Sequence, residues 1–343
     1  MIDVLLFALN AVVPILILIL LGYLMRTTGF FDEKFAKAAN KLVFRAALPV
    51  LLFYNIYTVE SMEVFDLSAI LYAAIGVLVL FCIGMAVAVI FIPDRRQRGV
   101  VAQCTFRSNF AIIGLPLGAA LGGAEGSALT AIISAVTVPM FNILAVIALT
   151  VFLGEENENG SDKRGVDVVA LLKKIAKNPL ILGVLAGIAS LVIRSLLPVR
   201  ADGEVVFSVS RDVPMIYQAI KWMANMATPL ALISLGGQFS FRATGQLWRQ
   251  ITIGTVLRIV VAPVLGVLGA YLLTGAGVMQ ANSAQYAALI ALFGSPVAAS
   301  SAIMASEMEN DEQLAAQYVV WTSVGSALTI FLIAVVCRSA GLL

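Results

Sequence analysis

Residues 107–123 read RSNFAIIGLPLGAALGG. The surrounding sequence is oily enough for a bilayer, yet this stretch carries an arginine, an asparagine, a Gly-Leu-Pro and a run of glycines. Proline removes a backbone donor and its ring clashes with the preceding turn. In lipid, the backbone groups so freed must be satisfied by protein, water or a ligand. A plain membrane anchor has no use for such an interruption, so the stretch asks which architecture would need a broken membrane helix.

The bulk composition sets the frame. Of 343 residues, 61% are hydrophobic and 12% charged, with a mean hydropathy of +0.99. Soluble domains are about 45–50% apolar and about 25% charged, so the chain reads as an all-α polytopic membrane protein. The net charge of +2 comes from basic residues scattered among short loops, which gives no nucleic-acid surface. Histidine is absent, which removes histidine-based acid–base chemistry and histidine metal ligands. Cys82, Cys104 and Cys337 lie within apolar segments without metal-ligand spacing, and no disulfide is expected. The N-terminal stretch lacks a basic leader and a small-residue cleavage site, and reads as a first membrane helix.

Membrane helices need about 20 mostly apolar residues. Ten stretches qualify: 4–25, 36–58, 67–92, 98–121, 126–153, 178–197, 213–239, 250–274, 284–305 and 313–337. With both termini outside, 13 Lys and Arg fall in inner loops and 4 on the outer side, which satisfies the positive-inside bias. Residues 154–177 then form a cytoplasmic linker, acidic at first and ending in an amphipathic stretch, VDVVALLKKIAK, suited to the membrane surface.

An internal repeat follows from the prolines. Gly114-Leu115-Pro116 recurs as Gly294-Ser295-Pro296, and Pro49 as Pro229, both at an offset of 180 residues (294 against 114, 229 against 49). Two matches at one offset indicate a duplication of five spans, 1–153 and 178–343. Five is odd, so the second copy enters from the opposite face: an inverted repeat, the plan of many secondary transporters. Broken fourth and ninth helices would cross near the midplane and aim half-helix ends into a shared cavity. Kinks or small-residue packing, as at Gly118 and Gly122, are the alternative for either motif taken singly.

Polar residues in the oil supply the site candidates. Arg258 lies about four residues, roughly 6 Å, from the middle of its span. Two roles fit it: capping carbonyls at a broken helix end, or binding a substrate carboxylate with its planar fork. Arg107, about 13 Å along a straight helix from Pro116, is expected to snorkel to the cytoplasmic interface, as are Lys41 and Arg45. Ser108, Asn109, Ser295, Ser300 and Ser301 cluster around the two breaks, with Asn109 and Ser295 favoured for binding and Ser300 and Ser301 for packing. Asn55 and Gln317 are weaker candidates. Glu307, Glu309, Asp311 and Glu312 read as a solvated charge run. The middle of every span lacks Asp and Glu, which argues against sodium/proton antiport of the usual kind.

RSNFAIIGLPLGAALGG, KNPLILGVLAG (177–187), ATPLALISLGGQF (227–239) and SPVAASSAIMASEMENDEQLAAQYVVWTS (295–323) together resemble the auxin efflux carrier family, in its bacterial branch related to the plant PIN carriers. The similarity runs along essentially the whole chain. It implies ten helices in two inverted five-helix repeats, with crossed, broken helices 4 and 9, and a homodimer in the plasma (inner) membrane. It implies a scaffold of helices 1, 2, 6 and 7, and a transport domain of the others moving as an elevator. Asn109, Gly114, Pro116 and Pro296 carry over as site positions. The cargo so implied is a small carboxylate, malate- or malonate-like, or an aromatic one such as indole-3-acetate. Ala305-Ser306-Glu307-Met308 stands where many members read Ala-Lys-Glu-Tyr, a departure at the inner mouth. The linker is short beside those of many plant members, so kinase control there is not expected.

The expected function is a secondary carrier of a small organic anion, with no cofactor and with proton or sodium as candidate coupling ions. A sodium-coupled bile-acid-type symporter is the nearest alternative. A membrane sensor stands further off, since the loops leave no room for an output domain, while a channel is separated from a carrier only by saturable exchange across liposomes. An intramembrane enzyme would need a nucleophile and base or a metal site, and the sequence offers neither.

Overall fold

Apolar side chains point outward as well as inward in this protein. The computed structural model describes residues 2–58, 67–153, 176–198 and 206–343, with no side chains described for 2–12 or Ala111. Leu71, Ile75, Leu78 and Ile90 face outward from one helix and Leu328, Leu332 and Val336 from another. An apolar exterior of this extent belongs in lipid. Five helical runs are long and apolar enough to cross a membrane: Leu67–Phe91, Ile112–Val151, Pro179–Leu196, Trp248–Gly275 and Glu312–Ser339. Most of the expected linker, residues 154–175 with the bulk of its amphipathic stretch, lies outside the described residues.

The described chain is helical, apart from one isolated antiparallel bridge. In order come α1 (Ile2–Thr27), α2 (Glu33–Leu42), a π-helical turn at Val43–Ala47, α3 (Leu48–Tyr57), α4 (Leu67–Phe91) and α5 (Arg95–Phe106). A second π turn, Phe110–Gly114, leads into α6 (Leu115–Val151). Then follow α7 (Pro179–Leu196), α8 (Pro214–Gln238) and α9 (Trp248–Val256), which continues through π turns at Leu257–Val261 and Val264–Leu268 into α10 (Gly269–Gly275). The chain closes with α11 (Ser283–Gly294), α12 (Ser300–Glu307) and α13 (Glu312–Ser339). The α6 run is two helices meeting at Gly123, whose φ of +62° is open to glycine at little cost.

Between lipid-facing helices no hydrophobic force remains, and association rests on close packing and interhelical hydrogen bonds. α1 and α8 show both. A Cβ on Gly22 would collide with the Ile233 carbonyl, and one on Gly236 with the Ile19 carbonyl, so the two backbones touch at reciprocal glycines. Nearby, the buried Ser234 hydroxyl donates to the Ala36 carbonyl at 3.0 Å, and lies 2.7 Å from Asn40 Oδ1, tying α8 to α2.

α11 begins with a capping box. Asn282 Oδ1 accepts the Gln285 amide at 2.9 Å, and Gln285 Oε1 accepts the Asn282 amide at 2.6 Å. Both bonds satisfy amides that have no partner inside the helix. Asn282→Ala is expected to cost about 1 kcal/mol, read as a lower melting temperature of the detergent-purified protein, with Gln285→Ala less affected.

The proline expectation needs correction at its first position. The interruption lies at Arg107–Asn109, where the chain is extended or irregular, and Pro116 sits seven residues later in the first turn of α6. Pro116 thus opens the helix that follows the interruption, a position that suits proline, rather than standing in the break itself. In the second half, Ser295 and Pro296 do lie in the interruption, between α11 and α12. The two Gly-x-Pro motifs are therefore not in equivalent places. The half-helices α5 and α11, each of 12 residues, begin 188 residues apart (95 and 283), not 180. The physical reason is that a break forms where external partners take up the freed backbone groups, and those partners come from the other break.

Candidate functional site at the crossing of two broken helices

The two interruptions lie across one another. Ser108 and Val297 form the antiparallel bridge, and the Asn109 amide donates to the Pro296 carbonyl at 2.8 Å. The Asn109 carbonyl in turn accepts the Ile113 amide at 2.9 Å and restarts the helix. On the other strand of the crossing, the Val297 amide donates to Thr322 Oγ1 of α13 at 3.1 Å. Most of the crossing is thus held by main-chain groups.

A cavity of about 60 Å³ sits against this crossing. Its walls come from α3 (Leu48, Leu51, Leu52, Asn55), the first interruption (Arg107, Ser108, Asn109), α6 (Val138, Phe141, Asn142), α8 (Thr228, Ala231) and the second interruption with the start of α12 (Ala298, Ala299, Ser300). Ile112 and Leu180 complete it. It has room for a few waters, well below the roughly 300 Å³ at which ligand pockets begin. The lining is apolar, with one cation and a small set of neutral polar groups.

That cation is Arg107, and the expectation that it snorkels to an interface is wrong. Its side chain is 4% exposed. Nη2 donates to Asn142 Oδ1 at 3.0 Å and to Ser300 Oγ at 2.8 Å, and Nη1 touches the Met304 sulfur. All three partners are neutral, and among the described residues Arg107 forms no ion pair. Of the five N–H groups of a guanidinium, two have no acceptor among the described residues. The straight-helix distance misled, because the helix ends at Phe106 and the chain turns inward.

Arg258 has the opposite character. It is 1% exposed and does not line the cavity. Nε donates to the Ser295 carbonyl at 2.9 Å, Nη1 to those of Thr105 and Phe106 at 3.3 Å each, and Nη2 to those of Leu292 and Phe293 at 3.0 and 3.1 Å. In this structure every donor of Arg258 is engaged with backbone carbonyls.

The cavity therefore unites Asn55, Arg107, Ser108, Asn109 and Ser300, while Gly114, Pro116, Arg258, Ser295, Pro296, Ser301 and Gln317 lie outside its lining. Ser295 Oγ bonds back to the Ala291 carbonyl at 2.6 Å. Gln317 instead binds Thr244, Ser240 and Trp321, fastening the start of α13 to the segment before α9. Gly114 leaves space for the Phe110 ring. Ser108 and Ser301 hydroxyls are buried with no partner among the described residues. Asn142 and Thr228 were not expected. Asn142 carried a legible signal, an amide within three residues of the middle of the span 126–153.

The charge run after α12 is more than a solvated loop. Asn310 is 1% exposed, and its Nδ2 donates to the Leu149 carbonyl at 3.0 Å and the Met308 carbonyl at 2.8 Å. Asp311 caps α13 by accepting the Leu314 amide at 2.9 Å and accepts from Gln97 at 2.9 Å. Glu307 is half-buried at a wide mouth lined also by Lys37 and Lys41. Burial lifts its carboxyl above the ordinary range, against the opposing pull of Arg45 and Lys41.

The sequence matches the model of a membrane transport protein family over residues 7–334. An uncharacterized transporter of Methanothermobacter thermautotrophicus is 23% identical over 338 residues, covering 95% of this chain and 97% of the relative. A second uncharacterized transporter, from Methanocaldococcus jannaschii, is 23% identical over 261 residues, covering 74% of this chain and 76% of the relative. With a match along nearly its whole length, this chain belongs to the membrane transport protein family, the auxin efflux carrier family that its sequence motifs resemble.

Proposed function

We propose that this protein is a secondary carrier of a small organic anion, a mono- or dicarboxylate, bound at the crossing with Arg107 as its counter-charge. One observation carries the reading: a buried guanidinium faces a cavity and, among the described residues, holds only neutral partners and keeps two N–H groups free. An uncompensated buried charge is costly in a membrane, and a carboxylate is the ligand whose geometry and charge relieve it. Asn109, Asn55, Asn142 and Thr228 stand around it as neutral polar groups, and the apolar walls suit a carbon skeleton.

In this reading the chain forms ten membrane helices in two inverted five-helix repeats, with both termini outside and the linker cytoplasmic. The small cavity supports a moving-wall mechanism. Cargo enters only when the crossing, with α4, α6, α9, α10 and α13, slides against a scaffold built on α1, α3, α7 and α8. Homodimerisation through that scaffold is part of the same proposal.

The test is a thermal-shift panel on purified protein, followed by flux in proteoliposomes. Mono- and dicarboxylates, indole-3-acetate and bile acids are compared with uncharged and amine analogues of the same skeletons. Saturable stabilisation and counterflow of one carboxylate class are expected. Uptake that never saturates would make the protein a channel, and stabilisation by amines alone would overturn the anion reading.

A further inference from the structure

Five main-chain oxygens converge on Arg258, those of Thr105, Phe106, Leu292, Phe293 and Ser295. They belong to the C-terminal ends of α5 and α11, the first half of each broken helix. A helix C-terminus carries about half a negative charge, so two of them together match one cation. Carbonyl groups at unwound helix ends inside the membrane are the ligands with which secondary carriers hold sodium. Here the seat is filled from within the chain by a guanidinium delivered from the π turn Leu257–Val261.

We propose that Arg258 is a resident cation: it occupies the carbonyl seat that a coupling sodium ion would otherwise take, so that the crossing is complete, and binds its cargo, without sodium. The consequence for coupling rests on the carrier reading above, but the seat itself does not, and can be tested without cargo. A fixed cation also removes the two negative helix ends from the field of the cavity, leaving the Arg107 charge unopposed from that side.

The experiment measures the melting temperature of purified protein without carboxylate. Wild type is expected to melt alike in sodium, potassium and choline chloride. A saturable rise specific to sodium would overturn the proposal. Arg258→Ala is expected to melt lower and to recover when guanidinium chloride is added at millimolar concentration, with no rise in wild type. A variant as stable as wild type, or one that no small cation restores, would also overturn it. Arg258→Lys and Arg258→Met separate charge from volume should Arg258→Ala fail to fold. The lysine protein is expected to stay nearer wild type, and equal losses would count against the resident-cation role. Rescue by guanidinium in a protein that moves no anion in proteoliposomes would keep the seat and remove the carrier reading.

Discussion

Arg107→Met is expected to weaken carboxylate binding severely and to leave the empty protein at least as stable as wild type. Methionine keeps most of the length of the arginine stem, so the contacts along it survive. What disappears is the one cation of the cavity and its two free donors. Hydrogen bonds to charged groups contribute about 1.5–3 kcal/mol each, so the loss of a carboxylate partner is expected to weaken binding by roughly 100-fold or more. The empty variant is expected to be no less stable because a buried charge with neutral partners is costly, and its removal offsets the hydrogen bonds lost at Asn142 and Ser300. Arg107→Lys is expected to fall between, since an ammonium keeps the charge but not the planar fork. The measurement is a carboxylate titration followed by thermal shift for all three proteins. An Arg107→Met protein that still responds to carboxylate at the wild-type concentration would remove Arg107 from the site.

The second large effect is structural. Gly236→Leu places a side chain where α8 already touches the Ile19 carbonyl of α1. The obstacle is backbone, which cannot turn aside as a flexible side chain would, so the helices must separate. Separation also pulls on Ser234, which links α8 to Ala36 and Asn40. Overpacking of this kind costs typically about 1–3 kcal/mol, and the added strain on those bonds puts the expected loss at or above about 3 kcal/mol. Gly245→Ala is the control, since a Cβ there meets nothing within 4 Å. Size-exclusion chromatography and melting of both detergent-purified variants decide it. A Gly236→Leu protein that is monodisperse and melts with wild type would show that the α1–α8 contact is loose.

Much of this arrangement was legible in the residues, and the failures share one cause. Arginine, asparagine and proline in an oily stretch correctly marked the two interruptions as partners, and Asn109, Ser108 and Ser300 do meet at one cavity. Proline alone does not mark where the first break falls, since it signals a missing donor, whereas a break needs an acceptor or donor supplied from elsewhere. Here that supply is the Pro296 carbonyl for Asn109 and Arg258 for Thr105 and Phe106. Partners some 150–190 positions away leave no local trace. The misreading of Arg107 follows directly, since distance along a helix has no meaning past the end of that helix. The π turns at Val43–Ala47 and Leu257–Val261 were invisible for the same reason. They adjust the helix to its neighbours, and no residue type announces them.

The Asn109–Pro296 bond and the five carbonyls on Arg258 have a consequence for how such proteins diverge. On the interruptions themselves the groups that hold the crossing are peptide, which all residues supply alike, and the side chains that meet them, Arg258 and Thr322, stand on other helices. Substitutions in the interruptions can therefore change what the cavity recognises without undoing the join that forms it. Such a join tolerates wide drift in the sequence of the interruptions, while the side chains that face the cavity, Arg107, Asn142 and Thr228 among them, are free to change.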